Sequence, residues 1–293
     1  MKSLINLIFR HPLSGLFGLR GFGRFLSWQM SSRIDKRVHI HEWIEGTKFH
    51  VRSGETGLTG NIYVGLHEFA DMGFLLHLLE PDDLFLDVGA NSGSYTILAS
   101  GVIGAKTTAF EPVPETFNRL LSNICINQLH DRVDAKQVGI SSMNGVMQIT
   151  TGDDTTNHFV SGETSKNVVS VEVLTLDSAC SGLAPSLIKI DVEGWEMSVL
   201  SGAEKILSQK SLLAIILEIN GRGQDLGVTD EKIVNHLMSY EFLAYRYDPL
   251  TRKISKITGR NFDGGNTIFI RNIDECRNRI QASPTFRVLG VDL

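Results

Sequence analysis

Cysteine is scarce in this chain: Cys125, Cys180 and Cys276 are three in number, widely spaced, and form neither a C-x-x-C pair nor a Cys/His cluster. That argues against a disulfide framework and a zinc cluster, and makes a reducing cytoplasm the expected compartment. An excess of basic charge is also lacking, because 28 Lys+Arg are outnumbered by 33 Asp+Glu for a net charge of −5. No general nucleic-acid-binding surface is therefore expected. Internal repeats and low-complexity tracts are absent. The apolar run from Leu4 to Phe9 is interrupted by Asn6 and stopped by Arg10 and Pro12, too short for a signal-peptide core or a membrane span. Acids are missing altogether from residues 2–34, where Lys2, Arg10, Arg20, Arg24 and Arg33 are interleaved with residues such as Leu4, Phe9, Phe22, Phe25 and Trp28. Two readings stay open for this arm: packing on the domain, or peripheral contact with an anionic membrane.

What is present suffices for one α/β core, with 42% hydrophobic residues over 293 positions. Its organising stretch is Leu84 to Leu98, where the apolar run Leu84-Phe85-Leu86 ends in Asp87 and a turn bearing Gly89 and Gly93. Strand, turn and helix are predicted, with Ser92 or Ser94 as helix cap and bare backbone N–H groups open to a ligand. The glycines do not fall as the G-x-G-x-x-G of dinucleotide enzymes. Asp87 beside the turn suits an ammonium group better than a pyrophosphate, and the pattern is similar to that of enzymes that bind S-adenosylmethionine. The next strand, within Thr107 to Pro114, ends in Glu111, where a carboxylate can accept hydrogen bonds from both hydroxyls of a ribose.

Further along, Val133 to Ile140 reads as a third strand, with Gly139 near its end leaving room for an adenine. Gly145 to Thr150 and Val168 to Leu174 read as a hairpin or extended sheet edge. The long loop between them carries Asp153, Asp154, Asn157 and His158, the last a candidate base. Ser186 to Leu200 repeats the strand, acid, glycine, helix order. It sets Asp191 and Glu193 beside a reacting centre, Trp195 as a pocket wall, and Glu196 as an exposed helix acid. Leu212 to Ile219 is a strand covered on both faces whose end supplies Glu218 and Asn220, oxygen ligands for either a divalent ion or a substrate hydroxyl. The metal-free version is favoured. Glu68 and Asp71, on a helix predicted from Glu68 to Leu79, are expected to be solvated. Glu241 to Tyr247 and Asn266 to Ile270 close the sheet as an antiparallel pair.

Asp-Val-Gly-Ala-Asn-Ser-Gly-Ser-Tyr-Thr at 87–96, Phe-Glu-Pro-Val-Pro at 110–114, Leu-Thr-Leu-Asp at 174–177 and Ile-Lys-Ile-Asp-Val-Glu-Gly-Trp-Glu at 188–196 together resemble the FkbM family of S-adenosylmethionine-dependent methyltransferases. The resemblance implies a doubly wound class I methyltransferase sheet, Rossmann-like and mostly parallel, with a C-terminal antiparallel hairpin. The boundaries expected are an arm and small β element over 1–64, the methyltransferase domain over 65–272, and a tail over 273–293. The activity implied is O-methylation of a hydroxyl on a sugar, glycolipid or polyketide-like acceptor. Asp87, Gly89, Asn91, Gly93, Glu111 and Gly139 would hold the cofactor, and Asp191, His158 and Glu218, in that order, would activate the hydroxyl. An NAD-type oxidoreductase and a non-catalytic cofactor-binding module are the competing readings.

Overall fold

The computed structural model describes residues 2–15, 18–52, 55, 58–151, 168–262, 264 and 266–293. The chain opens with helices α1 (Lys2–Arg10) and α2 (Leu19–Ile34), then an antiparallel ribbon of β1 (His39–Glu42) and β2 (Lys48–Val51), then α3 (Thr59–Val64). The arm and small β element expected over 1–64 did not include a helix after the ribbon, so α3 is a correction. Its Gly60 serves close packing rather than a turn, since a Cβ there would run into the His67 imidazole. Ile8, Phe25, Trp28, Phe49, Val51, Ile62 and Tyr63 bury one another, which makes this segment a packed layer of its own.

After α4 (Phe69–Leu78) the main α/β body begins with β3 (Leu84–Val88), α5 (Ser94–Ile97), a wider π-helical turn over 98–103, β4 (Lys106–Phe110), α6 (Pro114–Ile126) and β5 (Val133–Lys136). Three short strands follow, β6 (Gly139–Ile140), β7 (Gly145–Thr150) and β8 (Val168–Leu174), then α7 (Leu176–Ala179), β9 (Leu187–Ile190), α8 (Glu196–Ser201) and α9 (Glu204–Ser208). The chain ends with β10 (Ala214–Glu218), α10 (Asp230–Met238), β11 (Leu243–Asp248), β12 (Lys253–Lys256), β13 (Asn266–Ile270), α11 (Ile273–Ala282) and a small ribbon of β14 (Arg287–Val288) and β15 (Val291–Asp292).

Eight strands form one sheet in the order β12-β11-β13-β10-β9-β3-β4-β5. The five from β10 to β5 run parallel, while β13 is antiparallel to both β10 and β11. The chain therefore winds outward in two directions from the β3/β9 pair, which makes that pair the switch point where an open α/β sheet leaves a crevice at its carboxyl ends. Both sheet faces are covered, so the central strands are mainly apolar, with Asp87 and Lys189 the buried exceptions in β3 and β9. Phe85, Leu187, Ala214 and Ile216 point toward α4 and α11, whereas Leu86, Ile188, Ile190, Ile215 and Leu217 point toward α8, α9 and α10. Cys276, Ile280, Phe286, Val288 and Leu293, beyond residue 272, bury themselves in the first of these layers.

The stretch predicted as a single third strand is divided. Ala135 pairs with Ala109 in the main sheet, but Gly139 pairs with Val173 in a separate three-stranded sheet of order β6-β8-β7. The hairpin expected from 145–150 and 168–174 is present there, with Gly145 opposite Val173 and Thr150 opposite Val168.

Candidate active site

The turn after β3 folds onto its own backbone. Gly89 and Gly93 take φ of 83° and 91°, and Asn91 a left-handed φ of 49°. Gly89 N and Ala90 N both donate to Phe110 O, at 3.0 and 2.9 Å, and Gly93 N donates to Ala90 O at 2.9 Å. Asn91 N donates to Glu111 Oε2 at 3.0 Å, and Ser92 N to Asn91 Oδ1 at 2.7 Å. Every amide from Gly89 to Gly93 thus has an internal acceptor, which corrects the expectation of bare N–H groups. The helix cap is Gly93, not Ser92 or Ser94. A phosphate cradle needs free amides converging on an anion, and this turn offers none between 89 and 93.

Two acids flank the turn. Asp87 is buried at the end of β3, where Thr96 Oγ1 donates to its Oδ2 at 2.7 Å. Burial raises its pKa, opposed by the charge of Lys189. Glu111, just past β4, receives Asn91 N on one oxygen and Val113 N on the other, at 3.0 and 2.9 Å. Burial nevertheless pushes it up to about 7, because two backbone hydrogen bonds do not replace full hydration.

The turn after β9 meets the first one directly. A Cβ on Gly89 would collide with the carbonyl oxygen of Asp191, so only glycine allows the ends of β3 and β9 to come this close. Lys189, opposite Asp87 in the sheet register, is buried and donates to Asp191 Oδ2 at 2.6 Å, with its ammonium 4.7 Å from the centre of the Tyr95 ring. Burial alone would lower the Lys189 pKa, but Asp191, Glu68 and Asp87 reverse this and raise it. Glu193 has a left-handed φ of 53° and is ion-paired with Arg222.

One carboxylate oxygen each of Asp191, Glu193 and Glu218 lies within 4.8 Å of the other two. Asp191 and Glu218 are thus brought together as predicted, but the third member is Glu193. Asn220 is exposed and its Oδ1 accepts from Arg222 N at 3.0 Å. Burial and the neighbouring Asp191 raise Glu193 to about 7 and Glu218 to about 9.

A second acidic pair closes the crevice from α4. Asn266, opposite Glu218 in the β10–β13 register, donates through Nδ2 to Glu68 Oε1 at 2.8 Å and to Asp71 Oδ2 at 3.1 Å. The expectation of solvated helix acids fails, because α4 packs against β11 and brings both acids to Asn266 at the start of β13. Asp71 is buried and pushed up to about 7 by burial and by Glu68. Glu196 is likewise buried and accepts from Gly194 N at 2.9 Å, so it braces the second turn rather than facing solvent. Trp195 packs near Val113, Ile149 and Val171 and donates to Ser141 Oγ at 3.2 Å. Gly139 sits in β6, not at the end of a main-sheet strand. Asp153, Asp154, Asn157 and His158 lie outside the described residues. Lys189, Asn266 and Arg222 were missed, although a lysine between isoleucines in a buried strand is itself a signal of a buried charge.

A parallel sheet wound outward from a β3/β9 switch point, continued by an antiparallel β13 and lined with carboxylates at its carboxyl ends, defines a doubly wound Rossmann-like methyltransferase architecture of class I. Residues 87–247, more than half of the chain, match the methyltransferase FkbM domain, and the chain belongs to that family of methyltransferase enzymes. Among curated relatives, the hexuronic acid methyltransferase AglP of Haloferax volcanii is 32% identical over 64% of this chain and 74% of its own length. The 31-O-demethyl-FK506 methyltransferase FkbM of Streptomyces tacrolimicus is 34% identical over 38% of this chain and 41% of its own. Among solved structures, Pyrococcus horikoshii TYW2 in complex with MeSAdo aligns at 15% identity and a TM-score of 0.43, covering 80% of this chain and 70% of that one.

Proposed function

We propose that the protein transfers a methyl group from S-adenosylmethionine to a hydroxyl of a small sugar-acid or polyketide-like acceptor. The observation that carries this reading is the internal pairing of every amide from Gly89 to Gly93. A ligand entering the crevice is met by carboxylates rather than by free amides of that turn, which fits a cationic ligand and opposes a pyrophosphate. Asp87 and the turn of Gly89, Asn91 and Gly93 would hold the amino-acid end, and Glu111 the ribose hydroxyls through its remaining lone pairs. Gly139, where the chain has left β5, would border the base. Names of the relatives support the acceptor class, a hexuronic acid in one and an FK506 precursor in the other.

The cofactor supplies an electrophilic methyl group on a sulfonium. Asp191, held by Lys189, would orient the acceptor hydroxyl and take its proton as the new O–CH₃ bond forms and the S–CH₃ bond breaks. Glu218 and Glu193 stand next in line as proton acceptors once the pH exceeds their raised pKa values. His158, from the polar segment between β7 and β8, remains the other candidate for this role. The favourable charge balance comes from the chain itself, since Lys189 and Arg222 are already placed against Asp191 and Glu193. Divalent-metal activation is the second reading, motivated by the three clustered carboxylates.

Calorimetry with S-adenosylhomocysteine and with NAD tests the cofactor. Binding of NAD without S-adenosylhomocysteine would overturn the proposal. Mass spectrometry of uronic-acid glycans and polyketide alcohols after incubation then tests the acceptor. An ether-linked methyl survives mild alkali, whereas a methyl ester does not.

A further inference from the structure

The outward face of α2 carries apolar side chains that nothing among the described residues covers. Phe25, Trp28 and Ser32 are buried, and Arg24 Nε donates to Tyr63 O at 2.8 Å. Leu19, Leu26, Met30 and Ile34 are 61%, 44%, 63% and 87% exposed. Their spacing of seven, four and four residues sets them in one stripe along the helix, with the small Gly23 between the first two. Val38 and Ile40, also exposed, continue the apolar surface past the helix end. Isolated exposed leucines are ordinary, but four aligned over four turns are not.

Charge identifies the occupant. Residues 2–34 contain no acid, and Arg10, Arg20, Arg33, Lys36 and Arg37 are all exposed on or beside this layer. The first acid, Asp35, is already held by Arg37 at 2.8 Å. Glu42 and Glu45 are exposed on the ribbon and its turn, and Glu55, half-buried before α3, is ion-paired with Arg119 at 3.4 Å. An aliphatic stripe rimmed by arginines matches the headgroup and acyl boundary of an anionic bilayer, which takes up both components, whereas a nucleic acid would leave the aliphatic stripe without a partner. The same layer leads into the crevice: Asn61 of α3 accepts from His67 N at 2.8 Å, and the next residue is Glu68.

We propose that α2 lies along an anionic membrane surface through Leu19, Leu26, Met30 and Ile34, while its other face packs on the protein. The arm thus does both things that its sequence left open. This docking does not depend on the methyl-transfer assignment.

Co-sedimentation of the full chain with phosphatidylcholine vesicles, with and without phosphatidylglycerol, tests it. Binding is expected with phosphatidylglycerol and should weaken as salt is raised. The double variant Leu26→Glu, Met30→Glu should bind at least about tenfold more weakly, and Arg20→Gln or Arg33→Gln about fivefold more weakly each. Thermal melting matching the parent chain shows that these variants remain folded. Absence of binding to phosphatidylglycerol vesicles overturns the proposal. So does sedimentation-velocity evidence of self-association that the double variant abolishes while vesicle binding stays unchanged, because a second copy would then be what covers the stripe.

Discussion

The turn after β3 and the turn after β9 share one local order, an apolar strand, an acid, a glycine and a helix, yet they are finished differently. In the first, every amide from Gly89 to Gly93 is paired, two within the turn and three with Phe110 O and Glu111 at the end of the next strand. In the second, which shares with the first a left-handed non-glycine residue, a buried lysine lies below and three carboxylates face one another. A closed hydrogen-bond network makes a rigid receptacle. Three crowded carboxylates make a place that gains from a proton, a cation or a hydroxyl. On the proposed assignment, the first turn holds the cofactor and the second serves the chemistry.

The sharpest way to break that contrast is Asp191→Asn. The variant is expected to bind S-adenosylhomocysteine with parental affinity and to transfer methyl groups at least about 100-fold more slowly. If affinity fell as far as rate, the two turns would not differ in role. Glu111→Ala should show the reverse, binding weakened by about 1.5–3 kcal/mol in calorimetry and a nearly parental rate at saturating cofactor. A parental affinity would remove Glu111 from the cofactor site.

Proton linkage separates the regions more gently. Asp71, Glu111 and Glu193 are raised to about 7 and Glu218 to about 9. A carboxyl raised in the folded state holds its proton there longer than in the unfolded chain. Its contribution is therefore fully present below the ordinary carboxylate pKa and lost as pH rises through the folded value. Buried His11 and His77, lowered to about 4, act the other way below about pH 6.5, so the melting temperature of the ligand-free chain should fall mainly between about pH 6.5 and about pH 9. Glu218→Gln should remove most of the fall above about pH 7, where the other raised acids have already titrated, and make it shallower below that. The smallest effect is expected from chelation. Lys189 already lies 2.6 Å from Asp191, so EDTA should leave the rate unchanged. Loss of activity with EDTA, restored by Mg²⁺ or Mn²⁺, would replace the lysine-supported mechanism with a metal-supported one.

Much of the sheet was legible because buried parallel strands must be apolar and their carboxyl ends must turn: Leu84–Val88, Leu187–Ile190 and Ala214–Glu218 all fall where the apolar runs stand. The acids at those ends were legible for the same reason. What stayed hidden depends on partners far along the chain. Asp71 looks like a helix-surface acid until Asn266, 195 residues away, is packed against it. Glu196 looks exposed because its acceptor role toward Gly194 is invisible before the turn is built. The break between Lys136 and Gly139 could not be read either, since both halves have strand character and only their different neighbours separate them. The edge strand β12 was missed because its Lys253-Ile-Ser-Lys256 pattern is as polar as a loop.

The contact between Gly89 and the carbonyl of Asp191 also bears on how damage to this enzyme would be diagnosed. Its two motifs lie about a hundred positions apart in the gene, yet they share a wall one atom thick. A side chain introduced at position 89 would push first on the backbone that carries Asp191, so on the proposed assignment a change in the first turn would present in the assay as a defect of turnover. Genetic location and kinetic symptom would point to different parts of the protein, and a suppressor of the first lesion should be sought in the backbone around residue 191.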